Sequence, residues 1–385
     1  MEAADPGGST RRKRRAVAWG AVAGVVVFVA GFAYLYKPPP AATLTAASPT
    51  TKPGEATDDV VFYEFSSPLV AWALQYPTRS PQTTEGRFWI SRTVDGGRHW
   101  QVRFKGRRSF GGYSPALLRF FDSDHGLVYL GDSQTQLLRT SDGGARWQSV
   151  STFPSVRDPQ ATEVAINDAG HIWLLDRFIA GEPHLYVTAD AGHIWQQLPD
   201  PPANTGSLML RRSSEAWLSW NGPGPRVYRS TDGGLSWKAR DVPYPPVELD
   251  AAGQPWRAFV RLLPDKGAIA VEYCSCGIDR TFAFMSLDGG ATWRPVSNPP
   301  GVLAYADDIH WWAVKGKVLY QSSDAGQTWI SAPAQLPDWQ WQLNPTTVDR
   351  QHAWARIMLS GGGFGLATTS DAGLHWTRVK VPQST

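Results

Sequence analysis

Seven short segments of this sequence each bring a hydroxyl, a carboxylate and a tryptophan close enough together to form a chemical site. One of them runs from Arg139 to Trp147 and reads RTSDGGARW. A carboxylate of this kind could act as a general acid or base, or could help to bind a cation. The shared pattern is Ser/Thr-x-Asp-x-Gly-x-x-Trp, and each copy is called a box below. The box aspartates are Asp95, Asp142, Asp190, Asp232, Asp288, Asp324 and Asp371. The box tryptophans are Trp100, Trp147, Trp195, Trp237, Trp293, Trp329 and Trp376.

The number of boxes favours a structural role over a catalytic one. Successive box aspartates lie 47, 48, 42, 56, 36 and 47 residues apart, a spacing typical of propellers or solenoids. A catalytic group is needed once, whereas a structural fastening is needed in every repeat. The alternative is a set of small peripheral cation sites, but one carboxylate per turn is few for Ca²⁺, which takes about 6–8 oxygen ligands.

Comparing the copies with one another predicts how each box folds. The aspartate is expected to accept hydrogen bonds from backbone amides of its own turn, with the Ser/Thr hydroxyl bracing the same loop. The fifth position is always glycine, which indicates a left-handed backbone. The position after the aspartate is glycine four times and alanine three times, which indicates that no positive φ is needed there. The remaining positions vary freely.

Tryptophan is abundant for a chain of this length, with 19 copies. Each box tryptophan is expected on the next strand, where its ring fills the gap between neighbouring sheets. Five further tryptophans are expected one strand earlier. They are Trp72, Trp173, Trp217, Trp312 and Trp354.

The segments around the boxes predict four short strands per repeat. In the second repeat these are ALLRFF, LVYL, QLLRT and WQSVS, with the box between the third and the fourth. Seven such units close a ring and leave no long free edges. The sequence therefore predicts an all-β chain, a seven-bladed β-propeller of four-stranded antiparallel blades, over residues 59–382.

The boxes resemble the BNR or Asp-box repeats of sialidases, sortilin-type receptors and photosystem II assembly factors. That resemblance implies a propeller in which the box joins the third and fourth strands, away from the usual binding face. It also implies that the loops between second and third strands, and those between blades, form the functional face. These families share blades but not chemistry, so the resemblance does not define a function.

A single transmembrane helix is predicted before the propeller. Residues 1–15 form a basic tail with five cationic residues at 11–15, and residues 16–36 contain no charged side chain. Twenty-one residues suffice to cross about 30 Å of hydrocarbon. The positive-inside rule then places the N-terminus in the cytoplasm and the propeller outside it, at the cell membrane. Residues 37–58, rich in Pro, Ala and Thr, are expected to be a flexible linker. A cleaved signal peptide is the alternative.

The charge of the chain argues against a nucleic-acid partner. The formal net charge is +3, and the basic tail accounts for all of it. The propeller is therefore neutral overall and lacks the basic surface that non-specific nucleic-acid binding requires.

The predicted contact surface consists of arginines and one tyrosine, residue types enriched where proteins bind proteins. Its residues are Arg79, in the long loop of the first blade; Arg107, Arg108 and Tyr113, in an inter-blade segment; Arg157; and Arg119 and Arg257, on inner strands. The inner arginines could line a channel and attract an anion. Alternatively, they pair with carboxylates such as Glu163.

An enzymatic function finds less support. The Arg-Ile-Pro signature of sialidases is absent, with ARIM at 355–358 the nearest match, and sialidase propellers have six blades. Cys274 and Cys276 could form a redox pair, a strained disulfide or a metal contact. No signature of a cofactor or metal site is recognised. The sequence favours a membrane-anchored module that binds a protein, with a carbohydrate ligand left open. The alternative is an Asp-box glycoside hydrolase with an unrecognised site.

Overall fold

The structure, a computed structural model, consists of seven four-stranded antiparallel sheets, each built from four consecutive strands. The predicted all-β, seven-bladed propeller is therefore confirmed. The described residues are 59–76, 85–109, 116–131, 136–150, 154–156, 162–177, 182–202, 206–220, 226–245, 257–263, 267–274, 282–297, 300–315, 317–334, 345–358 and 364–379. The predicted tail, transmembrane helix and linker at 1–58 lie outside them. Within these ranges, no helix has the length and apolar character needed to span a membrane.

The strands are grouped here by their position in the blade. The first strands are β1 (Asp59–Phe65), β5 (Ala116–Phe120), β9 (Glu163–Ile166), β13 (Leu208–Arg212), β17 (Arg257–Leu262), β21 (Val302–Tyr305) and β25 (Thr346–Thr347). The second strands are β2 (Ala71–Tyr76), β6 (Gly126–Leu130), β10 (Ile172–Asp176), β14 (Glu215–Trp220), β18 (Ile269–Cys274), β22 (Trp311–Lys315) and β26 (Ala353–Met358). The third strands are β3 (Glu85–Thr93), β7 (Gln136–Thr140), β11 (His184–Thr188), β15 (Arg226–Ser230), β19 (Phe282–Ser286), β23 (Val318–Ser322) and β27 (Phe364–Thr369). The fourth strands are β4 (Gln101–Ser109), β8 (Gln148–Ser149), β12 (Gln196–Leu198), β16 (Lys238–Arg240), β20 (Arg294–Pro295), β24 (Ile330–Ala332) and β28 (Thr377–Val379).

First strands of neighbouring blades contact one another, as β1 does β5 and β9 does β13, so the first strands lie innermost in the ring. Second strands are the most deeply buried; β6 and β10 are buried at every position. Most of their residues are apolar because neighbouring blades cover both of their faces.

The ring closes where the last blade packs against the first. The hydroxyl of Tyr63 on β1 lies 2.9 Å from the hydroxyl of Thr346 on β25 and donates to the carbonyl of Trp354 at 3.1 Å. Below these bonds, Ala71 and Ala73 share an apolar cluster with Trp354 and Val379. Among the described strands each sheet keeps to its own consecutive set, so side-chain packing and these hydrogen bonds join the two blades.

The five additional tryptophans lie on second strands, two strands before the one that follows the box. The predicted position, one strand earlier, is therefore wrong. Each ring reaches the box of the next blade. Trp72 donates through Nε1 to the carbonyl of Gly143 at 3.1 Å, and a Cβ added at Gly234 would lie 2.9 Å from Trp173. These rings, rather than the box tryptophans alone, fill the space between blades.

Candidate functional site

Each box is closed by the same three hydrogen bonds. In the second blade, Thr140 donates its hydroxyl proton to Asp142 Oδ1 at 3.0 Å. The amide of Gly144 donates to the Thr140 hydroxyl oxygen at 3.0 Å, and the amide of Arg146 donates to Asp142 Oδ1 at 2.9 Å. The other six boxes repeat these bonds. The bracing predicted from the sequence is confirmed, and the carboxylates act as acceptors inside their own turns.

The residue after the box aspartate has a positive φ, so the sequence-based expectation at this position is wrong. Its three alanines have φ values of 59° at Ala191, 57° at Ala325 and 60° at Ala372. The amide of Ala191 donates to the carbonyl of Gly170 at 2.9 Å, in the turn between the first two strands of the same blade. The same bond recurs in all seven blades. This hydrogen bond fixes the backbone in a conformation that alanine rarely adopts.

The residue four positions after the aspartate also has a structural role, which the comparison of the boxes did not predict: its side chain bonds to the aspartate. The Ser236 hydroxyl donates to Asp232 Oδ2 at 2.5 Å, and Thr292, Thr328, His99 and His375 contact the same oxygen of their own box aspartates. The bonds from the Ser236 side chain and amide lower the pKa of Asp232 to about 2. Five of the seven boxes therefore place a side-chain donor at a position that looked freely variable.

Carboxylates near the centre of the ring are engaged in bonds between strands and between blades. Glu163 pairs with Arg177 and also accepts a hydrogen bond from the amide of Leu208, in the next blade, at 2.8 Å. Glu272 accepts from Arg261 at 3.3 Å and from the hydroxyl of Tyr305, also in the next blade, at 2.6 Å. These bonds lock neighbouring blades together. Glu163 thus pairs with Arg177, whereas the sequence analysis considered it as a partner of the inner-strand arginines Arg119 and Arg257.

Arg119, one of the predicted contact residues, also takes part in such a junction. It lies on β5 and donates to Glu64 on β1 at 3.0 Å. Burial raises the pKa of Glu64 to about 7, and the charge and hydrogen bond of Arg119 oppose that rise. At neutral pH a carboxyl group of this kind is protonated in about half of the molecules.

The remaining predicted contact residues fall into two groups. Arg107 and Arg108 lie within strand β4, not in the inter-blade segment expected for them, because β4 continues to Ser109. The Arg107 side chain is exposed, and Arg257 is half-buried at the start of β17. Arg79, Tyr113 and Arg157 lie outside the described residues. The four described members of the predicted set lie on strands of three different blades: β4 (Arg107 and Arg108), β5 (Arg119) and β17 (Arg257).

The cysteine pair is only partly described. Cys274 is the last residue of β18, and Cys276 lies outside the described residues. Within the described part of the chain, no three His, Cys, Asp or Glu side chains are grouped as metal ligands would be.

The comparisons with known proteins relate this chain to several propellers. No family model matches. A xyloglucanase from Paenibacillus sp is 27% identical over 270 residues, which is 62% of this chain and 23% of that enzyme. The GH74 xyloglucanase structure from Xanthomonas campestris matches with a TM-score of 0.50 and 15% identity, over 81% of this chain and 59% of that one. YCF48 from Cyanidioschyzon merolae matches with a TM-score of 0.47 and 15% identity, over 70% and 88%.

The match to the solved xyloglucanase agrees with the fold described above and leaves the function open. The chain is a seven-bladed propeller that resembles that of the GH74 xyloglucanase from Xanthomonas campestris. It spans less than a third of the length of the curated relatives that it matches. At a sequence identity this low, a match to a solved structure shows a shared architecture. Proteins of one architecture can have unrelated activities.

Proposed function

We propose that this chain is a membrane-anchored, extracytoplasmic interaction module of the Asp-box repeat class, which binds a protein partner. The observation that supports this proposal most is that the carboxylates already accept hydrogen bonds from the protein itself. Those of the boxes accept hydrogen bonds within their own turns, and Glu163 and Glu272 join neighbouring blades. A carboxylate held in this way stabilises the scaffold and is not free to act on a substrate. The propeller then serves as a rigid platform whose surface makes the contacts.

The anchor in this proposal rests on the sequence. Five cationic residues at 11–15 precede the uncharged residues 16–36, which favours a helix with its N-terminus in the cytoplasm. Residues 37–58 would then separate the propeller from the membrane. This arrangement presents the whole propeller surface to partners on the outer side.

The orientation and the partner can be tested together on intact cells, or on spheroplasts where an outer barrier exists. A membrane-impermeant, amine-reactive crosslinker should modify Lys105 and Lys238, whose side chains are exposed, and join the chain to another protein. Lys13 should react only after the membrane is opened. Mass spectrometry of the crosslinked peptides reads out all three lysines. Modification of Lys13 before the membrane is opened, with Lys105 and Lys238 protected, would refute the proposed orientation. Modification of Lys105 and Lys238 without any crosslinked protein would refute the proposal that the chain is an interaction module.

A glycoside hydrolase that acts on a β-glucan is the second candidate. Two observations favour it. A curated relative with 27% identity is a xyloglucanase. Glu64, on an innermost strand, has a pKa raised to about 7, as the general acid of a glycosidase requires.

Incubation with xyloglucan distinguishes the two candidates. If the chain is an interaction module, we expect no increase in reducing ends. Glycoside hydrolysis needs a second carboxylate beside the general acid, and Glu163 and Glu272 already accept hydrogen bonds from the protein. A Glu64→Gln variant serves as the control, since it keeps the shape of the side chain. Hydrolysis that weakens as the pH rises through about 7, and that Glu64→Gln abolishes without lowering the melting temperature, would establish the hydrolase instead.

A further inference from the structure

Strand β4 differs from every other fourth strand of the propeller. It contains nine residues, Gln101–Ser109, whereas the fourth strands of the other six blades contain two or three. Its partner β3 is also nine residues long. Short outer strands are one way in which proteins prevent unwanted pairing at a sheet edge. The first blade lacks this protection.

Strand β4 forms the outer edge of the first sheet. The strand order of the first sheet ends at β4, and no described strand pairs with its outer side. An extra residue, Arg103, interrupts the register with β3, and from there residues 104–109 pair regularly with residues 85–90. In an antiparallel pair, alternate residues direct their N–H and C=O groups away from the partner strand. Residues 104–109 therefore offer a regular row of backbone donors and acceptors.

This edge is held in place by the neighbouring blade. The Phe104 ring lies 5.8 Å from that of Phe88 on β3 and 6.2 Å from that of Trp147 in the second blade. Arg103 donates to the carbonyl of Asp142 in the second box at 3.1 Å. The strand is thus already ordered, and a partner that pairs with it would not have to supply the free energy of ordering it.

The charge of the edge indicates which partner it fits. Strands β3 and β4 together contain six cationic residues and a single carboxylate, Glu85. Among the cations, the side chains of Lys105 and Arg107 are exposed. Since the chain from residue 16 onward is neutral overall, this hairpin is a local concentration of positive charge. A partner strand of negative charge complements it, whereas a second copy of β4 would place cations opposite cations.

We propose that β4 accepts an extended acidic peptide segment of a partner protein as a fifth strand of the first blade. The backbone groups of residues 104–109 supply the pairing, and Lys105 and Arg107 select for acidic side chains. Strand addition of this kind gives affinity through main-chain hydrogen bonds and specificity through alternate side chains. The inference names the partner chemistry of the proposed interaction module and so rests on that proposal.

The experiment measures the binding of a labelled peptide of alternating Asp and Val residues to the full-length chain in detergent by fluorescence anisotropy. We expect binding that weakens about tenfold or more when alternate peptide amides are N-methylated, because methylation removes the donors needed for pairing. The double variant Lys105→Glu with Arg107→Glu should lose binding to a similar extent. Lys238→Glu, an exposed position on the three-residue strand β16, is the matched control and should bind normally.

Hydrogen exchange provides a second measurement that needs no variant. The amides of residues 104–109 that point away from β3 should become protected when the acidic peptide is added, while those of β16 should not change. Equal binding of the methylated peptide, or unchanged exchange, would refute strand addition in favour of simple charge attraction. Self-association of the chain that the double variant abolishes would identify a second copy as the occupant and overturn the proposal. Peptide binding in detergent does not depend on orientation in the membrane, so a failure of the crosslinking test leaves this test intact.

Discussion

Replacing Trp217 with alanine should destabilise the propeller by about 3–5 kcal/mol, the usual range for removal of a fully buried tryptophan. Trp217 lies on β14 with none of its surface exposed. Its ring packs beneath the box of the next blade, where a Cβ added at Gly290 would lie 2.7 Å from it. Arg229 lies over the ring at 5.3 Å. The cavity would therefore open between two blades, and the denaturant midpoint should fall accordingly.

Trp237, the box tryptophan of the same blade, is the matched control. Its ring is half-buried and contacts that of Trp173 edge-on, with ring centroids 6.4 Å apart. Because part of this surface is already exposed, Trp237→Ala should lower the free energy of unfolding by less than Trp217→Ala does. A larger loss at Trp237 would mean that the box tryptophans, and not those of the second strands, hold the blades together.

The parts of the fold that repeat could be predicted from the sequence. Seven boxes at a regular spacing act as seven observations of one turn, so the roles of Thr140 and Asp142 could be inferred without a structure. Strand number and direction followed because each blade is a local meander of consecutive strands. These features depend on residues close together in the chain, where sequence patterns carry most information.

The backbone conformation after the box aspartate, and the extra side-chain donor within five of the boxes, were not predictable in the same way. Because three boxes have alanine after the aspartate, the sequence did not indicate the positive φ at this position. The strain of about 1–2 kcal/mol that alanine incurs there can be offset by the hydrogen bonds that fix the turn. Ser236, Thr292 and His99 looked like free variation, although each donates to a box aspartate. A comparison by residue type does not detect a shared capacity to donate a hydrogen bond.

The placement of Arg107 and Arg108 within a strand was not predictable from the repeat, and β4 shows the reason. Analogy with the other blades ends the fourth strand after a few residues, which placed Arg107 and Arg108 in a connection between blades. The first blade departs from the repeat, and its strand continues to Ser109. A feature that occurs in one blade cannot be inferred from the other six. Function is expected where the repeat is broken, because repeated residues serve the fold.

Gly234→Ala should destabilise the propeller by about 3 kcal/mol, whereas Gly233→Ala, one residue earlier, should destabilise it by only about 1 kcal/mol. Both glycines have a positive φ, 74° at Gly233 and 90° at Gly234. At Gly233 the nearest atom to an added Cβ is 4.0 Å away, and three other boxes contain alanine at this position. At Gly234 the added Cβ would lie 2.9 Å from both Trp173 and Leu198 of the preceding blade, so those side chains must move. Denaturant unfolding of the two variants separates backbone strain, which both share, from the clash between blades, which only Gly234→Ala introduces. Equal losses of unfolding free energy in the two variants would show that the side chains of the preceding blade move aside at no cost. The invariant glycine would then be required by its backbone conformation alone.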